Sequence, residues 1–141
     1  MVKSFVKVYI RVRPSSQPSN RLSLGGDGST VSIELDKQVA SGGSQRDIHS
    51  FKYDGFFESA SQERVYSDCA AEVVDNVLTG FNGTVFCYGQ TGAGKTFTMA
   101  GDPRSYQQRG VIPRAVHQIF REIDLRVDRL YKVWVSYLEI Y

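Results

Sequence analysis

The chain has 141 residues, of which 41% are hydrophobic and 23% charged, and 17 basic against 15 acidic side chains leave a net charge of +2. That length supports one core and is too short for two domains. The balanced charge calls for neither a nucleic-acid nor a membrane partner, although a local patch can hide inside a small net charge. No apolar run reaches the length of a membrane span.

The opening MVKSFVKVYIRVRP has no apolar core and no small-residue cleavage site, so no signal peptide is expected. Within it FVKVYIRV (5–12) alternates apolar and polar residues and predicts a strand closed by Arg13-Pro14. Residues 15–30 are rich in Ser, Gly, Asn and Asp and read as loop. Val31, Ile33 and Leu35 alternate as a short strand, ASGGSQRDIHS (40–50) reads as another loop, and FKYDGFF (51–57) as a short extended piece. Residues 62–79 give the clearest helix. Val65, Cys69, Val73 and Val77 repeat at four-residue spacing beside Tyr66, Ala70, Val74 and Leu78, leaving Arg64, Asp68, Glu72 and Asp75 in water. Ser61 suits its N-cap, Glu63 its first turn, and Gly80 its C-terminal stop.

Asn82-Gly83 turns the chain into TVFCY (84–88), a continuous apolar run suited to a strand covered on both faces. After FTM and a polar loop, Pro113 sits where helices begin, and Ile112, Ala115, Val116, Ile119, Phe120 and Ile123 form a second apolar stripe. KVWVSYLEI (132–140) reads as a long apolar strand, with Trp134, Tyr137 and Tyr141 as core. Cys69 and Cys87 fit no metal spacing and read as reduced, buried thiols. His49 and His117 have no neighbours that make them ligands or bases. The alternation of strands and helices argues for an α/β domain with helices on the sheet faces.

Residues Gly89, Gln90, Thr91, Gly92, Ala93, Gly94, Lys95 and Thr96 fit G-x-x-x-x-G-K-[ST] at every fixed position, between an expected strand and an expected helix. Glycines without a Cβ let backbone approach a phosphate, and successive N–H groups at a helix start form an anion nest. Lys95 then supplies a point charge for β and γ phosphates, and the Thr96 hydroxyl a ligand for Mg²⁺. The motif alone covers many functions.

The segment NGTVFCYGQTGAGKTFTMAG (82–101), entered through F-N-G-T and left through T-F-T-M, resembles the kinesin P-loop region. Arg11-Val12-Arg13-Pro14 is similar to the kinesin R-x-R-P motif; FKYDGFF, the helix start Gln62, Glu63, Val65 and Tyr66, RGVIPR (109–114) and SYLEIY (136–141) are kinesin-like phrases in the right order. Residues 15–50 match least. SYQQRGVIPRA followed by QIFR resembles the kinesin-nine group, which is associated with cilia and flagella.

The resemblance implies an α/β P-loop NTPase (kinesin motor) fold, three-layer αβα around a mixed, largely parallel sheet, with residues 1–141 its N-terminal part. It implies ATP and Mg²⁺ as cofactors, with Gly89 to Thr96 around the phosphates. Arg11, Arg13 and Pro14 would border the adenine, Phe97 would face the base from the other side, and 101–110 would be the loop that interrupts the P-loop helix. Without the resemblance, Arg11 and Arg13 read as a solvated strand edge and Phe97 as core. It implies microtubules as partner of the intact motor. Neither the S-S-R-S-H nor the D-x-A-G-S-E type switch motif occurs in the sequence, nor do the main track-binding elements or the neck, and the chain stops inside a phrase kinesins continue as YNE. The chain alone is therefore expected to be catalytically inactive. Its strands 84–88 and 132–140 are expected to lack their sheet neighbours, leaving gaps or a substitute pairing. A shortened, non-catalytic nucleotide-binding or interaction module is the alternative. A small-molecule kinase or a GTPase is disfavoured, since no Arg-bearing lid and no N/T-K-x-D base reader is present.

Overall fold

A computed structural model describes residues 6–38 and 44–141. Among these residues the strands crowd into the first part of the chain and the helices follow. β1 (Tyr9–Val12) pairs in parallel with β5 (Gly55–Glu58), Tyr9 opposite Gly55 and Val12 opposite Glu58. Between them the chain makes an antiparallel meander of β2 (Leu22–Leu24), β3 (Thr30–Gln38) and β4 (Ser44–Lys52). β1 is shorter than the alternation predicts, and the predicted start at Phe5 lies outside the described residues.

The two polar stretches read as loop hold strands. Leu22 and Leu24 stand opposite Ile33 and Val31, and Phe51 opposite Val31 on the other side, so one apolar face is assembled from three separate segments. Residues 44–50 form most of β4 despite their polarity because β3 offers a nine-residue ladder, and ladder bonds are indifferent to side-chain polarity on a solvated face. Residues 40–43 of that predicted loop lie outside the described residues.

The predicted long helix is two helices, α1 (Gln62–Cys69) and α2 (Ala71–Leu78), broken at Ala70, which is 1% exposed. Ser61 caps α1 as expected, accepting from the Arg64 N–H at 3.1 Å. Gly80 ends α2 with φ 103°; its N–H donates to the Val77 carbonyl and that of Phe81 to Asn76. This doubled bond pattern requires the left-handed conformation that glycine adopts freely. The Arg126 guanidinium reaches back to the Leu78 carbonyl at 3.0 Å, placing a cation on the same helix end.

α3 (Lys95–Met99) and α4 (Val111–Leu125) flank the loop 101–110, which carries a short 3₁₀ turn at Tyr106–Gln108. α4 starts two residues before Pro113. Its predicted stripe is divided: Ala115, Ile119 and Ile123 are half-buried, whereas Ile112, Val116 and Phe120 are exposed. The buried positions of α4 are Val111 and, unexpectedly, Gln118. Gln118 accepts from the Tyr66 hydroxyl and donates to Asp75 at 2.7 Å and to the Ala71 carbonyl at 3.3 Å, so a polar latch holds α4 to the α1–α2 junction. Tyr9 stacks on Phe57 across the β1–β5 pair, and Phe57, Val65, Ala70, Val74 and Val111 line the buried core with Val31.

TVFCY and KVWVSYLEI are not strands. Among the described residues neither segment pairs with another, and Trp134 is 82% exposed, with Tyr137 and Tyr141 also in solvent rather than in a core. A continuous apolar run becomes a strand only when neighbours supply both its ladder and its cover. The single, largely parallel sheet expected from the resemblance is not formed among the described residues: β1–β5 is a two-stranded parallel pair, β2–β3–β4 a separate antiparallel sheet, and the two segments join neither, since the partners they would need are not among these strands. Cys69 and Cys87 are free thiols, half-buried rather than enclosed.

Candidate functional site

Gly94, at φ 101°, is the N-cap of α3, and Gly92 has φ 82°, so two glycines of the motif stand where a side chain would be strained. The Lys95 ammonium donates to the carbonyls of Gly89 at 2.8 Å and Gln90 at 3.0 Å, joining the end of the motif to its beginning. Inside this ring the Ala93 N–H donates to the Gln90 carbonyl at 3.1 Å. A lysine has three donors, so one remains for a ligand. The first α3 amide with a backbone acceptor is that of Thr98, bonded to Gly94 at 2.9 Å; among the described residues those of Lys95, Thr96 and Phe97 have none. They are the unsatisfied donors of a helix start, and attract an anion.

β1 delivers the arginines to this loop. Arg13 donates to the Gly92 carbonyl, and Pro14 follows it, exposed. Arg11 is half-buried. Its Nη1 donates to Gln62 Oε1 at 2.8 Å and to Thr98 Oγ1 at 2.9 Å, and its guanidinium lies over the Phe97 ring, 5.3 Å from the centroid. Burial lowers the Arg11 pKa, which the nearby thiols partly offset. Arg11 and Phe97 are in cation–π contact, so no space for a base separates them. Phe97 as a whole is 42% exposed.

The structure therefore gathers Arg11, Arg13, Phe97 and the motif loop on one side of the molecule. Along the other flank of the motif runs an open groove of about 430 Å³ lined by Val85, Phe86, Cys87, Met99 and Ile112 beside Lys95 and Thr96. A larger open groove of about 540 Å³ lies along α4, lined by Arg109, Val116, His117, Phe120, Arg121 and Asp124 among others, and includes no residue of the motif. Thr96 is exposed in the first turn of α3. Among the described residues no cluster of His, Cys, Asp or Glu could hold a metal ion. A cation at Thr96 would thus depend on that hydroxyl and on oxygens brought by ligand and water, a mode that suits Mg²⁺.

The loop 101–110 separates α3 from α4 as expected and is closed by backbone bonds. The Gly110 N–H donates to the Ala100 carbonyl at 3.0 Å and the Asp102 N–H to Gln108 at 3.0 Å. A profile of the kinesin motor domain matches residues 11–141. The chain belongs to the kinesin motor domain family. Kinesin-like protein KLP1 of Chlamydomonas reinhardtii is 52% identical over 143 residues, spanning 100% of this chain and 18% of that protein. Kinesin-like protein KIF9 of Mus musculus is 44% identical over 139 residues, spanning 96% of this chain and 18% of that protein. Centromere-associated protein E of Homo sapiens is 40% identical over 139 residues, spanning 96% of this chain and 5% of that protein. The chain thus spans under a fifth of these kinesin relatives, over the N-terminal part of the motor domain, and the likeness to KLP1 and KIF9 agrees with the kinesin-nine resemblance of residues 105–121.

Gln62 is the residue whose weight the sequence did not reveal. It was legible only as a helix-start position, yet its side chain joins β1, α3 and the loop. The available signal was a polar residue at the apolar edge of an otherwise amphipathic helix. Thr98 was likewise legible only as part of a family phrase.

Proposed function

We propose that this chain is the nucleotide-binding portion of a microtubule motor ATPase, with the P-loop NTPase fold completed by sheet strands from elsewhere in the motor domain. The observation that carries the reading is the Gly89–Thr96 loop closed on Lys95, with the acceptor-free amides of Lys95 to Phe97 at its mouth. ATP binds with its phosphates against those amides and Lys95, and Mg²⁺ is held by Thr96 and phosphate oxygens. Arg11, Arg13, Pro14 and the exposed edge of Phe97 border the adenine. When bound, ATP supplies the phosphoryl-transfer free energy. The chain's own residues bind and orient it, and positioning of the attacking water belongs to elements this sequence does not contain. The intact protein couples hydrolysis to movement along microtubules, and its likeness to the kinesin-nine group supports work in a cilium or flagellum. The chain by itself binds nucleotide without turning it over.

The test is titration of Mg·ATP into dilute wild-type chain and Lys95→Ala in parallel. Removing one charge-assisted phosphate contact should weaken binding by about 1.5–3 kcal/mol, roughly ten- to a hundredfold. Equal affinities would put the site elsewhere. Phosphate release in the same samples should stay at the blank, with or without microtubules. A rise with microtubule concentration would refute the inactivity of the chain.

A further inference from the structure

Gln62 is 3% exposed, at the first turn of α1. A buried amide is costly unless its groups are paired, and this one is paired on both sides. Its Oε1 accepts from Arg11 Nη1 at 2.8 Å; its Nε2 donates to the carbonyls of Phe97 at 2.7 Å and Gln108 at 3.1 Å. The orientation of the amide is dictated by chemistry, since a guanidinium can only donate and carbonyls can only accept. The three partners come from the end of β1, from α3 and from the loop 101–110. The same Gln108 carbonyl also accepts from the Asp102 N–H that closes the loop.

Arg11 is held over Phe97 by this bond and by Thr98, so the amide fixes the guanidinium plane that covers one face of the ring. None of these contacts involves Gly89 to Thr96. We infer that Gln62 is a positioning residue for the base end of the nucleotide and that it ties the closure of the loop 101–110 to the Arg11–Phe97 surface. The inference rests on the nucleotide-binding reading above. Loop opening at Gln108 removes one of the two bonds that aim the Nε2, and the amide is then free to turn away from Arg11.

The experiment compares Mg·ATP with Mg·tripolyphosphate, which has no base, in the dilute full chain. In Gln62→Leu, ATP affinity falls about tenfold, because the charged Arg11 bond is lost. Tripolyphosphate affinity stays within about twofold, because the phosphate contacts are separate, and this arm also reports an intact motif loop. Gln62→Glu keeps an acceptor for Arg11 but loses both donors. It regains most of the ATP affinity while the amides of Asp102 and Gly110 exchange faster with solvent. Equal loss for both ligands in Gln62→Leu would make the residue merely structural and overturn the inference, as would unchanged ATP affinity; in either case the nucleotide-binding reading stands if Lys95→Ala loses both ligands. Wild-type chain that binds neither ligand would sink that reading and the inference together. Thr98→Val removes the other Arg11 acceptor and should repeat the ATP-only loss; an equal loss of tripolyphosphate there would also count against the inference.

Discussion

Gly101→Ala should be among the most destabilising single-methyl additions in the chain. Gly101 has φ 79°, and a Cβ there would stand 2.0 Å from the Gln108 carbonyl oxygen, 2.4 Å from the Gly110 nitrogen and 2.8 Å from the Arg109 carbonyl carbon. All three are backbone atoms, so no side chain can swing aside. The left-handed conformation alone costs an L-residue about 1–2 kcal/mol. Relieving the clash means separating residue 101 from 108–110, which breaks the Asp102-to-Gln108 and Gly110-to-Ala100 bonds. At about 0.5–1.5 kcal/mol each, these bring the total to about 2–5 kcal/mol. A domain's whole stability is about 5–15 kcal/mol. Two controls isolate the effect. Gly28 has φ 70° with nothing within 4 Å of its Cβ position, so Gly28→Ala carries only the conformational cost. Gly26 has ordinary φ and equally open space, so Gly26→Ala should be neutral or slightly stabilising. Urea unfolding of the three variants, followed by far-ultraviolet circular dichroism, orders them. If Gly101→Ala loses no more than Gly28→Ala, the loop is not closed as described.

Ser61→Ala removes the N-cap of α1 and should cost about 1 kcal/mol in the same assay, Ser61→Gly only a few tenths. Burial raises the Cys69 thiol from its ordinary 9.0 to about 11, with Asp68 adding to the shift. A raised folded-state value gives stability that is complete below pH 9.0 and lost as pH rises toward 11. The unfolding midpoint should therefore fall across that window, and Cys69→Ala should flatten the fall; an unchanged slope would contradict the assignment. The unpaired segments 84–88 and 132–140 should exchange their amides rapidly and drive concentration-dependent self-association through open edges. Sedimentation of a stable monomer at high concentration, with protected amides in both segments, would refute this.

The motif at 89–96, the cap at Ser61, the stop at Gly80 and the family itself were legible in the sequence, because each depends on residue types at short spacing. Left-handed φ at Gly80, Gly92 and Gly94 follows from the absence of a Cβ, and a cap from one hydroxyl near one helix start. The strand β2 and most of β4 were not legible. β2 is only Leu-Ser-Leu inside a polar stretch and residues 44–50 are mostly polar, so only the long-range register with β3 makes them strands. The reverse failure has the same cause. TVFCY and KVWVSYLEI have strong strand character, but character supplies no partner, and backbone ladders need two segments. The break at Ala70 has no Gly or Pro to announce it, and the polar latch at Gln118 depends on where α4 crosses α1 and α2.

For the site, spacing alone carried the proposal of a phosphate-binding loop, since that chemistry rests on backbone shape and one lysine within eight consecutive residues. Only the tertiary structure decided how Arg11 and Phe97 meet. Arg11 and Phe97 are 86 residues apart in sequence, as their numbers give, and nothing local to either says that one lies on the other rather than across a gap. That contact, and the buried Gln62 that aims it, arise from β1, α1 and α3 meeting at one point, where side chains distant along the chain must satisfy one another's hydrogen bonds or leave them unpaired away from water.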